Sequence, residues 1–203
     1  MNHEITTNFL SAIKARRSHY AINNEQLISD ERLEQIIEFA IKHTPSAFNS
    51  QSARVVLLLG EQHTKFWSIT TETLRAMVDP DKFGSTQDKM NAFGAGYGTV
   101  LFFEDQSVIE GLQQQFSLYA DNFPIWSLQS NGMLQLVVWT ALTDEGFGAS
   151  LQHYNPLIDD AVRKEWGLPD SWKLLAQMPF GKQLSAPGEK QFQPIEERFK
   201  IKK

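Results

Sequence analysis

From about Ile125 to Glu145 the chain carries a helical pattern with apolar side chains on nearly every side. Met133, Leu134, Leu136, Val137, Val138, Trp139, Ala141 and Leu142 leave almost no polar face. A helix of that kind is buried on most of its sides, so whatever this chain folds into must be built around it. Its length, about 20 residues, matches a membrane span. Gln129, Asn131, Gln135 and the adjacent pair Asp144-Glu145 argue against that reading. A helix this apolar in a water-soluble chain points to a second subunit packed against it.

The rest of the composition narrows the class. With 203 residues, 41% of them hydrophobic, the chain can bury one full core, and a single domain over residues 1–203 is expected. The absence of cysteine excludes disulfides, thiolate zinc, iron–sulfur clusters and thiol catalysis. A net charge of −5 with scattered Lys and Arg argues against a nucleic-acid partner. Met1-Asn2-His3-Glu4 lacks the basic and apolar regions of a signal peptide, which gives a soluble, cytoplasmic protein with no membrane association as the expectation.

Taken in order, the chain alternates helices and short apolar runs. Thr7 caps a first helix bearing Phe9, Leu10 and Ile13, which runs into Ala15-Arg16-Arg17-Ser18-His19-Tyr20 and sets the basic pair near its C-terminus. Cations at that position complement the helix dipole even without a ligand. Asn23-Asn24 reads as a turn. Ser29-Asp30-Glu31 cap a second helix whose apolar residues Leu33, Ile36, Ile37, Ala40 and Ile41 follow the helical period, and Pro45 ends it. The run Val55 to Leu59 predicts a strand buried on both faces, Glu61 to Met77 a helix broken by Asp79-Pro80-Asp81, and Gln87 to Phe93 a further helical piece. Thr99 to Phe103 is a second buried strand. The preceding Gly94, Gly96 and Gly98 do not make a phosphate loop, because they lead into a strand and no Gly-Lys-Ser/Thr follows. Helical segments are expected over Val108 to Phe116 and Ile158 to Trp166, and a third strand over Trp172 to Phe180. Residues 187–203 read as extended.

Three polar stretches stand out as sites. Thr44 to Gln51 joins the second helix to the first strand, and loops in such places often carry function, although Ser, Asn and Pro also serve ordinary turns there. Arg16-Arg17-Ser18 is the second. The third is Gly146 to Pro156, where small residues allow close approach of backbone to a flat group or simply cap a helix before a strand. With five histidines, no His-Ser-Asp order, no HExxH and no Walker sequence, no side chain is a candidate for direct catalysis. Either a cofactor carries the reaction or the chain performs none. Arg16, Arg17 and Lys190 offer cations for a phosphate, and Ser18, Asn49 and Gln51 offer donors for a polar ring edge, which are the needs of a mononucleotide.

In combination these residues resemble the FMN-dependent nitroreductase family: Ala15-Arg16-Arg17-Ser18, then Pro45-Ser46-Ala47-Phe48-Asn49-Ser50-Gln51, then Gly148-Ala149-Ser150-Leu151-Gln152 after the buried helix. Longer runs, 95–105, 119–126 and 149–156, are similar to the compact subgroup that holds the fatty-acid-repression-mutant proteins and the copper-induced nitroreductases. The similarity covers essentially the whole chain.

The resemblance implies an α+β fold with a central mixed β-sheet flanked by helices, a domain-exchanged homodimer, and noncovalent FMN at two interface sites. Arg16 would hold the phosphate, with Arg17 and Ser18 on the phosphate or ring edge. Pro45, Ser46 and Asn49 would come from the partner subunit, with Gln51 nearby. The backbone of Ala149, Ser150 and Leu151 would approach flavin N5. Lys190 keeps the first cation of a Lys-x-Arg pattern whose second position is Phe192, and Tyr20 stands where a basic residue is usual; both departures remove positive charge. The implied activity is NAD(P)H-dependent reduction of nitroaromatic or quinone-like acceptors by a ping-pong route. A flavin-binding regulatory protein of lipid or metal stress with incidental reductase activity is the alternative, and an α+β domain without cofactor a third.

Overall fold

The computed structural model describes residues 9–203, so the expected cap at Thr7 and the N-terminal tetrapeptide lie outside the described residues. The sheet is organised on two strands. Strand β3 (Gly98–Asp105) is buried along its whole length, and β5 (Trp172–Gln183) pairs with it antiparallel. Two short strands, β1 (Ile22–Asn23) and β4 (Phe147–Ala149), pair with the far end of β5. Both register on Lys182, so they take its opposite edges. Among the described residues, strand β2 (Ala53–Leu59) pairs only with β3. All these pairs are antiparallel; an isolated parallel bridge between Ser18 and Ala149 makes the sheet mixed.

Alternate side chains of β3 feed two cores, as the two-residue period of a strand requires. Val100 and Phe102 join Leu33, Ile37 and Ala40 of helix α2 (Asp30–His43) and Leu134, Val138 and Leu142 of the long helix Phe123–Asp144. Leu101 and Phe103 face the other layer, with Phe66, Trp67 and Leu74 of α3 (Gly60–Arg75), Met90 and Phe93 of α4 (Gly84–Gly94), and a short helix at Asp159–Trp166. In chain order the remaining helices are α1 (Phe9–Ala15), α5 (Gln106–Gln115), α6 (the long helix), α7 (the short one) and α8 (Ile195–Arg198).

Helix α2 forms as its residues demand: the Ser29 hydroxyl accepts from the Arg32 amide at 3.2 Å, and the chain turns extended at Thr44. Helix α6 resolves the problem posed by its sequence. One stripe enters the core, while Ile125, Leu128, Met133, Leu136 and Val137 stand exposed on the single chain. No described helix is long and apolar enough to cross a membrane.

Four local expectations change. Helix α1 stops at Ala15, with a last backbone bond from Arg16 to Ala12, and the chain runs extended from there because Ser18 and His19 are drawn onto β4. Asn23 is not in a turn, since the end of β5 offers it a strand partner. Strand β2 is half-buried instead of covered on both faces, being an edge strand with a neighbour on one side only. The extended C-terminal segment contains one helical turn, α8.

Candidate functional site

Residues Arg16 to Ala21 and the strap Ser185 to Lys190 face each other across a cavity of about 620 Å³. The strap is tied down by Arg17, whose Nη2 donates to the Gly188 carbonyl at 2.6 Å. The Arg16 guanidinium lies 4.4 Å over the Trp139 ring of α6, a cation on an aromatic face. Lys190 Nζ sits 5.3 Å from the centroid of Phe192. Among the described residues, no carboxylate forms an ion pair with Arg16, Arg17 or Lys190, although Glu189 shares the cavity wall. Burial first, and the adjacent Arg17 second, lower the pKa of Arg16 below the ordinary guanidinium value. The cavity thus concentrates cations that lack counter-charges, the chemistry of an anion site.

Strand β4 pairs with the segment that forms one wall of this cavity. Ser18 bridges Ala149, and the His19 amide donates to the Ala149 carbonyl at 2.9 Å. Such contact needs glycine beside it: a Cβ on Gly148 would lie 2.9 Å from the His19 Cβ and 3.1 Å from that of Gln183. Ser150 is buried, and its amide donates to Pro179 at 3.3 Å. Tyr20 is exposed, with its ring 6.3 Å from Phe93.

A second cavity, of about 370 Å³, lies at the exit of α2 and is lined by Thr44, Pro45, Ser46, Gln51, Ser52 and Arg54, with Ser130 and Leu134 of α6 and Trp172. Its rim is strained. Phe48, Asn49 and Gln51 have φ of 57°, 52° and 49°, a left-handed region that costs non-glycine residues of order 1 kcal/mol each. The conformation is held by the Ser46 hydroxyl accepting the Gln51 amide at 3.0 Å, and by Phe48 packing among Phe116, Phe123 and Trp126. The Thr44 hydroxyl is buried in this wall with no hydrogen-bond partner. Nearby, Arg54 pairs with Asp105 at 3.0 Å, and the fully buried Glu104 accepts from Asn131 at 2.9 Å. Burial raises the pKa of Glu104, against the opposing pull of Ser52, Asn131 and Arg54.

Of the residues singled out in the sequence, Arg16, Arg17, Ser18, Tyr20 and Lys190 meet in one cavity, with Ala149 on its edge and Ser150 and Leu151 continuing from it. Pro45, Ser46 and Gln51 line the other, and Asn49 stands exposed on its strained rim. The sequence reading missed His19 and Trp139. His19 follows the serine of a motif already noticed, and that adjacency was the available signal. Trp139 carried none, because an apolar helix hides which residue underlies a loop. A third cavity of about 720 Å³, near Tyr97, Asp30 and His63, was also unforeseen.

An α+β sheet with a cationic cavity at the strand edge is the frame of the site, and the chain belongs to the nitroreductase family, whose sequence profile matches residues 13–182. It is an oxidoreductase family. The putative nitroreductase HBN1 of Saccharomyces cerevisiae is 36% identical over 186 residues, spanning 91% of this chain and 92% of that protein. Nitroreductase CinD from Lactococcus lactis, solved in complex with chloramphenicol, is 44% identical with a TM-score of 0.89, covering 97% of this chain and all of that one. A putative nitroreductase from Exiguobacterium sibiricum, solved in complex with FMN, shares the fold at 16% identity and a TM-score of 0.73, over 99% of this chain and 100% of that one.

Proposed function

We propose that this protein is an FMN-dependent NAD(P)H oxidoreductase that reduces nitroaromatic or quinone-like acceptors, and that it works as a homodimer. The observation that carries the reading is the convergence of Arg16, Arg17, Ser18 and Lys190 on one cavity edged by the backbone of Gly148 and Ala149. That donor set fits a flavin mononucleotide: cations for the phosphate, a hydroxyl for a ring edge, and a strand without intervening side chains for a flat group. The chloramphenicol complex of CinD supports a nitroaromatic acceptor.

FMN held here would supply the hydride chemistry between NAD(P)H and the acceptor. The chain's own part is to bind and orient. Arg16 and Lys190 would hold the phosphate end, and Arg17, bonded to Gly188, keeps the strap bearing Lys190 in place. The β4 backbone, paired with Ser18 and His19, would lie beside the flat ring. Pro45, Ser46, Asn49 and Gln51 line or border a separate cavity in the chain, so they complete the site of a partner subunit, brought there by the exposed apolar face of α6.

The test is direct. Purified protein should be yellow, and acid release followed by chromatography should yield FMN and not FAD. A colourless protein that also fails to take up added FMN removes the proposal.

A further inference from the structure

His19 is the junction of three segments that make the first cavity. Its amide is fixed to β4 through Ala149, and its Cβ and Cγ lie where a Gly148 side chain would be, at 2.9 and 3.0 Å. Ser185, at the root of the strap, lines the same cavity, and its backbone favours the charged form of the ring. The residue is 8% exposed and lines the cavity. A neutral imidazole has one N–H. The other nitrogen is then a bare acceptor and has nothing to offer a phosphate oxygen. Protonation makes it a donor.

We propose that His19 is a phosphate-recognising group: it takes up a proton when a phosphate monoester dianion enters the cavity beside Arg16, Arg17 and Lys190, so that cofactor affinity rises as the pH falls. This rests on the FMN reading above. The charged or titratable groups around His19 are Arg16, Arg17 and Tyr20 of its own segment, Glu189 and Lys190 of the strap, and Lys182 of β5, which is paired with Glu25 at 2.7 Å; β4 contributes none. Without an anion, burial and Arg17 keep the ring neutral against the pull of Ser185. A dianion reverses the sign of the local charge and favours the imidazolium. It also compensates for the positions where Tyr20 and Phe192 withhold a cation. The window is bounded below by the phosphate itself, which takes a proton near pH 6.

The experiment measures dissociation constants of the apo-protein for FMN and for riboflavin, which lacks the phosphate, at pH 8.0 and 6.5. Uptake of one proton changes affinity at most tenfold per pH unit, so FMN should bind about 3- to 10-fold tighter at the lower pH. Riboflavin, and FMN with His19→Gln, should change less than twofold. Equal pH dependence for FMN and riboflavin, or a slope that survives in His19→Gln, overturns the proposal. A second readout needs no variant to fold: the His19 ring proton resonance of the wild type should titrate at higher pH with FMN than without it, and an unmoved titration also overturns it. If no flavin binds at any pH, it is the cofactor reading that has failed. The same resonance titrated against inorganic phosphate then decides the role of His19, a raised titration keeping it and an unchanged one ending it.

Discussion

Arg16→Ala should separate cofactor retention from folding. The backbone tolerates the change, because Arg16 contributes only its amide to the last turn of α1. The side chain makes two kinds of contact: a face-on approach to Trp139 at 4.4 Å, and an unpaired guanidinium presented to the cavity. Losing the first costs about 0.5–1 kcal/mol at a partly exposed site, a fall of roughly 1–4 °C in melting temperature for a chain of this size. Losing the second removes a charge-assisted hydrogen bond to phosphate, about 1.5–3 kcal/mol, or roughly 10- to 150-fold in the FMN dissociation constant. Arg17 is committed to Gly188 and Phe192 offers no charge, so Lys190 is the remaining cation. Fluorescence-quenching titration of the apo-variant with FMN measures the effect, with riboflavin as control. Riboflavin should bind as to wild type, and turnover at saturating FMN should be little changed. An FMN constant within twofold of wild type would show that the phosphate lies elsewhere; equal weakening for riboflavin would show that Arg16 acts through the fold.

Other expectations concern assembly and packing. Leu136→Glu, on the exposed apolar face of α6, should convert a dimer burying more than about 2,000 Å² into a monomer with loss of flavin; an unchanged mass by light scattering contradicts this. Gly98→Ala should destabilise by about 1–3 kcal/mol or more, since the new Cβ would meet Leu59 Cδ2 at 2.6 Å and the Leu58 carbonyl at 2.9 Å, and a denaturant midpoint at the wild-type value refutes it. His63 is buried between Thr99 and Gly94, and burial lowers its pKa from 6.5. The fold therefore favours the neutral ring, and its contribution is present above pH 6.5 and lost as the pH falls through the lowered value. Apo-protein should lose stability between pH 7 and 5, and His63→Gln should flatten that slope.

What the sequence revealed follows from how local each signal was. Helix α2 was legible because its cap, period and stop all lie within sixteen residues, Ser29 to Thr44. The central strand β3 was legible because burial on both faces leaves a continuous apolar run. Strand β1 was not, since two residues become a strand only through a partner some 160 positions later, Gln183 for Ile22. The same reason hid the end of α1: Arg17 and Ser18 leave the helix because β4 and the strap capture them, and no residue nearby says so. Within the site, the cations and small polar residues were identifiable by type, whereas Trp139 under Arg16 and the left-handed backbone at Phe48, Asn49 and Gln51 are products of packing.

The division of the site residues between two cavities of one chain has a genetic consequence. In the proposed homodimer, a chain damaged at Arg16 and another damaged at the Pro45–Gln51 loop would each assemble with both sites defective. Mixed in one cell, or refolded together, they also form heterodimers in which one site inherits both lesions and the other inherits neither. Random pairing of equal amounts makes half of all dimers hybrid, so two inactive proteins should together recover about a quarter of the flavin sites of the wild type.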